Sequence, residues 1–128
     1  MTPAALHILN REPSVLDQYL MQLRDTGIHN DRMRFRTNLA RIGTLMAYEI
    51  SRVLQYQKTK ITTPLATTEV FTIADDLVIA TILRAGMPFM QGFLQAFDAA
   101  DAAFVGAMRG KHKADHSFDI ELDYVACP

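Results

Sequence analysis

The sequence is poor in the residues and runs that mark several large protein classes. It holds a single cysteine, Cys127, so no intramolecular disulfide framework can brace it. No apolar run approaches the roughly 20 residues that a membrane-spanning helix needs. Neither charge sign is in surplus, since 13 Lys and Arg stand against 14 Asp and Glu for a formal net charge of -1. That balance leaves no basic excess to displace counterions from nucleic acid, so an anion bound here has to be held locally. The opening MTPAALHIL lacks both the charged region and the long apolar core of a secretory signal. A cytoplasmic protein with no membrane or nucleic-acid partner is expected. Walker loops, dinucleotide-binding glycine patterns, serine nucleophile elbows, internal repeats and low-complexity tracts are all missing.

What is present is an ordinary globular composition: 128 residues, 49% of them apolar and 21% charged, enough for one domain with its own core. Over residues 14–25, Leu16, Tyr19, Leu20 and Leu23 recur at helical spacing behind a Ser14/Asp17 capping box, and Gly27 ends the run. A longer helix is predicted from about residue 31 to residue 54, with Phe35, Leu39, Ile42, Met46, Ile50 and Val53 as the stripe packed on a sheet, while Arg34, Arg41 and Glu49 fall largely elsewhere. Residues 59–73, rich in Thr, Ile and Val, read as the two legs of a hairpin. Pro64 makes it an edge or a projecting arm. Such an arm cannot bury itself alone, which points to a partner subunit.

LVIATIL, residues 77–83, is a continuous apolar run of the kind shown by a parallel strand with both faces covered. Beyond the RAG turn and Pro88, the stripe Phe89, Phe93, Leu94 and Phe97 marks a helix, and AFVGAM, residues 103–108, a second buried strand. Strand, helix and strand within about thirty residues form a βαβ unit, whose ligands sit at the carboxyl ends of the strands. Arg84 follows the first of these ends and Arg109 the second. Each guanidinium is a rigid fork of N–H donors suited to phosphate or carboxylate. Gly86 would let the backbone approach a ligand, and the start of the following helix would add N–H groups.

A desolvated, unpaired arginine costs several kcal/mol, so Arg84 needs a partner. Two kinds would serve: a structural carboxylate, Glu49 or Glu69, or a bound anion. Other polar stretches read more simply. ADDLVIAT, residues 74–81, imitates a phosphate loop, but Ile82 and Leu83 stand where glycines must make the turn, so Asp75 and Asp76 mark a polar turn into the strand. His112, His116, Asp115 and Asp119 lie in a solvated loop, with no second cluster to complete a metal site. His7 and His29 have no catalytic partner, and Cys127 is a free thiol. SFDIELDYV, residues 117–125, alternates Phe118, Ile120, Leu122 and Tyr124 against Asp119, Glu121 and Asp123, the pattern of a half-exposed strand with a solvent-facing acidic face.

Read in order, PSVLDQYLMQLRD, FRTNLARIGTLMAYEISR, ITTPLATTEVF, ILRAG and VGAMR resemble the uracil phosphoribosyltransferase family over essentially the whole chain. The resemblance implies an α/β fold made of N-terminal helices (1–57), a β-arm (58–73) and, over 74–128, the first βαβ unit of a phosphoribosyltransferase-type parallel sheet with a flap. It implies pyrimidine salvage, in which uracil attacks 5-phosphoribosyl 1-diphosphate (PRPP) to give UMP and diphosphate. It further implies Mg²⁺ chelated by PRPP, GTP as an allosteric effector as in some relatives, and a homodimer joined through the arm. Arg84, Ala85, Gly86 and Arg109 would then bind the diphosphate, with no catalytic side chain and no metal ligand in this segment. Met108 replaces the family's usual aromatic residue, and GKHKAD its acidic, polar continuation, although Lys111 and Lys113 keep the segment cationic. The family's ribose-phosphate loop and uracil-binding hood fall beyond Pro128, so the segment alone is expected to be inactive. A non-catalytic paralogue or dimerisation domain is the alternative.

Overall fold

A computed structural model describes residues 6–111 and 117–128. A short 3₁₀ turn, Leu9–Arg11, leads into helices α1, Val15–Arg24, and α2, Arg32–Ser51. Strands β1, Tyr56–Thr62, and β2, Thr67–Ile73, follow; then β3, Val78–Leu83, helix α3, Met87–Ala96, and strands β4, Asp101–Arg109, and β5, Ile120–Ala126.

The helix starts are set by local chemistry. Ser14 caps α1: its hydroxyl accepts from the Leu16 N–H at 3.2 Å, and Asp17 reaches back to the Ser14 N–H at 2.9 Å, completing the box read from the sequence. Asp31 caps α2 by accepting from the Met33 and Arg34 N–H groups at 3.1 and 3.0 Å. In both cases a side-chain oxygen satisfies donors that no helical carbonyl can reach.

The stripe predicted for α2 holds at its centre, with Ile42 buried and Leu39 and Met46 half-buried, and fails at its ends. Its buried residues are Asn38, Ile42, Gly43 and Ala47, while Phe35, Ile50 and, past the helix end, Val53 are exposed. The reason is the neighbour, which is α3 rather than a sheet. The two helices approach so closely that a Cβ on Gly43 would collide with the Phe89 carbonyl, and one on Gly92 would collide with the Ala40 carbonyl and lie 2.7 Å from the Thr44 nitrogen. The Thr44 hydroxyl donates across this crossing to the Gly92 carbonyl at 3.1 Å. A close crossing selects small residues on its axis, and the larger apolar side chains are pushed to the flanks. On α3 the fully buried residue is Met90, with Phe89 and Phe93 forming an edge-to-face pair at 5.2 Å beside it. On the far side of α2, buried Asn38 donates to the Gln22 side chain at 2.9 Å and accepts from Arg41 at 3.2 Å, tying α2 to α1. Its polar atoms are thereby satisfied.

Strands β1 and β2 pair antiparallel from Tyr56↔Ile73 to Thr62↔Thr67 and form a sheet of their own. Pro64 falls in the connecting turn, which the Thr63 hydroxyl closes by donating to the Ala66 carbonyl at 2.8 Å and accepting from the Ala66 N–H at 3.1 Å. The hairpin stands out from the rest as the arm the sequence suggested, with Leu65 and Phe71 97% and 70% exposed.

The second sheet has the order β3-β4-β5. β3 and β4 run parallel, Val78↔Asp101 to Leu83↔Gly106, with α3 as the crossover, so the βαβ unit is present. The expectation that both faces of β3 are covered does not hold: Ile79, Thr81 and Leu83 are half-buried, whereas Val78 and Ile82 are 56% and 61% exposed. In this chain α3 covers one face, and nothing described covers the other. β5 pairs antiparallel with β4, and its simple alternation also fails. Leu122 pairs with Ala107 but Tyr124 with Gly106, so Asp123 is an extra residue, and the bulge turns Leu122 and Tyr124 to opposite faces.

Candidate functional site

The carboxyl edge of the parallel pair is built by β3 and β4 ending side by side. The last aligned pair is Leu83↔Gly106; Arg84 is the next residue after β3, and Arg109 is three residues beyond Gly106 at the end of β4. Along the strand direction this places them two residues apart in register, roughly 7 Å. Both arginines are exposed.

Arg84 sits on a turn fixed by its backbone. The Leu83–Arg84 peptide bond is cis. The Gly86 N–H donates to the Ile82 carbonyl at 3.2 Å, the Met87 N–H to the Arg84 carbonyl at 3.3 Å, and the Met90 N–H to the Gly86 carbonyl at 2.9 Å. Gly86 has an ordinary helical φ of -74°. Glycine is required here for space: a Cβ would strike the Thr81 hydroxyl and lie 2.9 Å from the Ile82 carbonyl. The close approach at Gly86 is thus to the protein's own strand. The helix start is also poorer in donors than the sequence suggests, because Gly86 and Met87 spend theirs inside the turn and Pro88 has none.

The two carboxylates considered as structural partners for Arg84 are engaged elsewhere. Glu49 meets Arg52 at 3.3 Å and the His7 ring at 3.8 Å, and Glu69 meets Lys58 across the hairpin at 3.6 Å. Among the described residues Arg84 has neither an ion pair nor a side-chain hydrogen bond. Its fork of donors is open to solvent, so Arg84 is not the desolvated cation the sequence suggested, and water satisfies it in the absence of an anion.

Arg109 is held differently. Its guanidinium lies over the Phe118 ring, 4.9 Å from the centroid. The closure of the β4–β5 hairpin brings the ring there, as Arg109 pairs with Ile120 and the Gly110 N–H donates to the Asp119 carbonyl at 2.8 Å. Phe118 precedes β5, so counting it as a strand position hid this role. The signal available in the sequence was an aromatic residue two places before the partner of Arg109.

Ala85 is exposed at the tip of the turn, and Lys111 is exposed beyond Arg109. Lys113, His112, Asp115 and His116 lie outside the described residues. Among the described residues no three of His, Cys, Asp and Glu group as a ligand set. Asp75 serves the turn role read for it, accepting from the Gln55 N–H at 2.7 Å. An apolar cavity of about 310 Å³ lies between the end of α2, β3 and α3, lined by Ile50, Ile79, Phe89, Met90, Phe93 and Phe97; neither arginine borders it. Cys127 is exposed, and no helix among the described residues is long and apolar enough to cross a membrane.

The family model described as uracil phosphoribosyltransferase matches residues 11–122. The chain belongs to the uracil phosphoribosyltransferase family. It is 48% identical over 120 residues to the uracil phosphoribosyltransferase of Porphyromonas gingivalis, spanning 94% of this chain and 55% of that protein. To the Pyrococcus furiosus uracil phosphoribosyltransferase it is 38% identical over 113 residues, spanning 87% of this chain and 47% of that one. It therefore spans about half the length of the curated relatives it matches. The fold is similar to a solved structure of the AQ2163 protein from Aquifex aeolicus, with a TM-score of 0.76 at 19% identity over 91% of this chain and 54% of that one. Membership in this family makes the chain kin to phosphoribosyltransferases, which are glycosyltransferases.

Proposed function

We propose that this segment supplies the diphosphate-binding edge of a uracil phosphoribosyltransferase, which joins uracil to PRPP and releases diphosphate with UMP as product. The observation that carries the reading is Arg84: an exposed guanidinium with no anion among the described residues, on a hydrogen-bonded turn at the carboxyl end of a parallel strand, next to a strand that ends in Arg109. In the reaction the bond between the ribose anomeric carbon and the diphosphate oxygen breaks as the uracil nitrogen bonds to that carbon, and the nitrogen's proton passes to solvent or to the departing diphosphate. Negative charge grows on the departing diphosphate. Fixed cations at that edge stabilise the transition state more than the ground state, and loss of one such contact typically costs on the order of 10²-fold in rate. Arg84 and Arg109 would supply those cations, and the Ala85–Gly86 turn, exposed at Ala85, would lie beside the anion. As the family resemblance implies, Mg²⁺ would arrive chelated by the diphosphate oxygens of PRPP.

Titration calorimetry with Mg²⁺ and either PRPP or pyrophosphate tests the reading on this chain. Weak binding is expected, and it should be lost in Arg84→Ala. Equal heats for the two proteins would refute the assignment.

A second reading, an association domain without turnover, is favoured by the arm, where Leu65 and Phe71 present apolar surface that this chain does not bury. Arg84 and Arg109 lie outside the arm, so association through it would not by itself exclude diphosphate binding. A monomeric mass by light scattering at tens of micromolar would count against the dimer.

A further inference from the structure

Among the described residues two arginines lie over aromatic rings, Arg41 and Arg109, and they are held differently. Arg41 stacks on Tyr19 at 5.2 Å and also donates to Asn38 at 3.2 Å, so its fork is committed to the helical packing. Arg109 stacks on Phe118 at 4.9 Å, and among the described residues no carboxylate or carbonyl accepts from its guanidinium. A phenyl ring attracts the cation through its π face, while the N–H donors radiate within the guanidinium plane. Stacking therefore fixes the plane and reach of the fork without consuming donors. A carboxylate in the same place would compete with any incoming anion.

We propose that Phe118 is a positioning residue for Arg109, holding its fork in advance in the orientation that receives the diphosphate. The inference rests on the diphosphate reading given above and adds the element that makes the second arginine competent. A free arginine side chain must give up several rotatable bonds when it grips an anion, a cost that a stacked one has met already. Phe118 is placed for this by backbone closure: the Gly110–Asp119 hydrogen bond and the Arg109↔Ile120 pairing bring the ring under the side chain from outside the strand.

The chain contains no tryptophan, so Phe118→Trp places a single tryptophan under Arg109, excited apart from the four tyrosines at wavelengths above their absorption, while keeping a π face. Three results are expected with inorganic pyrophosphate and Mg²⁺. Phe118→Trp binds within about twofold of wild type and its emission changes saturably, a change abolished by adding Arg109→Ala. Phe118→Leu, which keeps apolar bulk but loses the π face, weakens binding about fivefold, the order expected of one cation–π contact. The double variant Phe118→Leu/Arg109→Ala binds no more weakly than Arg109→Ala alone, since the ring acts only through the guanidinium.

The failures can be told apart. If wild type does not bind pyrophosphate, or Arg109→Ala binds as wild type does, the diphosphate reading of Arg109 falls and the positioning role falls with it. If Arg109→Ala weakens binding while Phe118→Leu does not, the arginine assignment stands and the positioning role alone is overturned. Should the two losses simply add in the double variant, Phe118 acts by another route and the inference is wrong. Circular dichroism of each variant separates loss of fold from loss of binding.

Discussion

Where α2 crosses α3, two glycines let the backbones nearly touch and Thr44 bridges them; on β3, one strand away, Val78 and Ile82 stand more than half exposed. The helical layer carries its own partners: capped ends, a satisfied buried asparagine and a methionine sealed between neighbours. The strand layer and the arm do not, since one face of the β3-β4-β5 sheet and the apolar tip of the hairpin face solvent. Apolar burial is worth about 25 cal/mol per Å², so the stability of this chain is concentrated in the helices and its unspent apolar surface in the strands. The candidate site belongs to the second region. It is an edge where charges are left open, next to strands that have surface left to offer.

That contrast can be broken by mutation. The largest effect is expected from Gly92→Val, whose side chain has to displace the Ala40 carbonyl and the Thr44 nitrogen: a loss of about 3 kcal/mol or more, read from the urea midpoint. A loss under about 1 kcal/mol would mean that the crossing is looser than its geometry implies. Asn38→Ala should cost about 1 kcal/mol, because it removes the buried amide that ties α2 to half-buried Gln22 and exposed Arg41. Phe71→Ser on the arm is the counter-test, expected to leave monomer stability within about 0.5 kcal/mol while lowering the mass seen by light scattering. If Phe71→Ser destabilised the fold as much as Asn38→Ala does, the arm would belong to the core and the division between the two regions would be wrong.

Much of the local structure was legible. The Ser14/Asp17 box, the hairpin around Pro64, the βαβ unit and the positions of Arg84 and Arg109 at its carboxyl edge all follow from short-range rules of capping, turn formation and apolar periodicity. What misled was the assumption that large apolar residues define the buried stripe. On α2 the axis of contact runs through Gly43 and Ala47, and a stripe of small residues has almost no hydrophobic signature. β5 misled for a related reason: its alternation is regular in letters, but the register slips by one residue at Asp123, and only pairing with β4 reveals the slip.

The site divides in the same way. That a pair of arginines follows two strands could be read off, as could the absence of a disulfide framework or of a basic surplus. That no carboxylate among the described residues meets Arg84, with Glu49 and Glu69 paired to Arg52, His7 and Lys58, depended on which side chains the fold brings within 4 Å. That Gly86 makes room for Thr81, and that Phe118 lies under Arg109, were likewise decided by tertiary packing. The amino-acid order by itself settled the elements and the edge where cations gather, since those depend on neighbours within a few positions along the chain. Which charges are neutralised and which are left open was settled by contacts between residues far apart in sequence, and no local pattern encodes those.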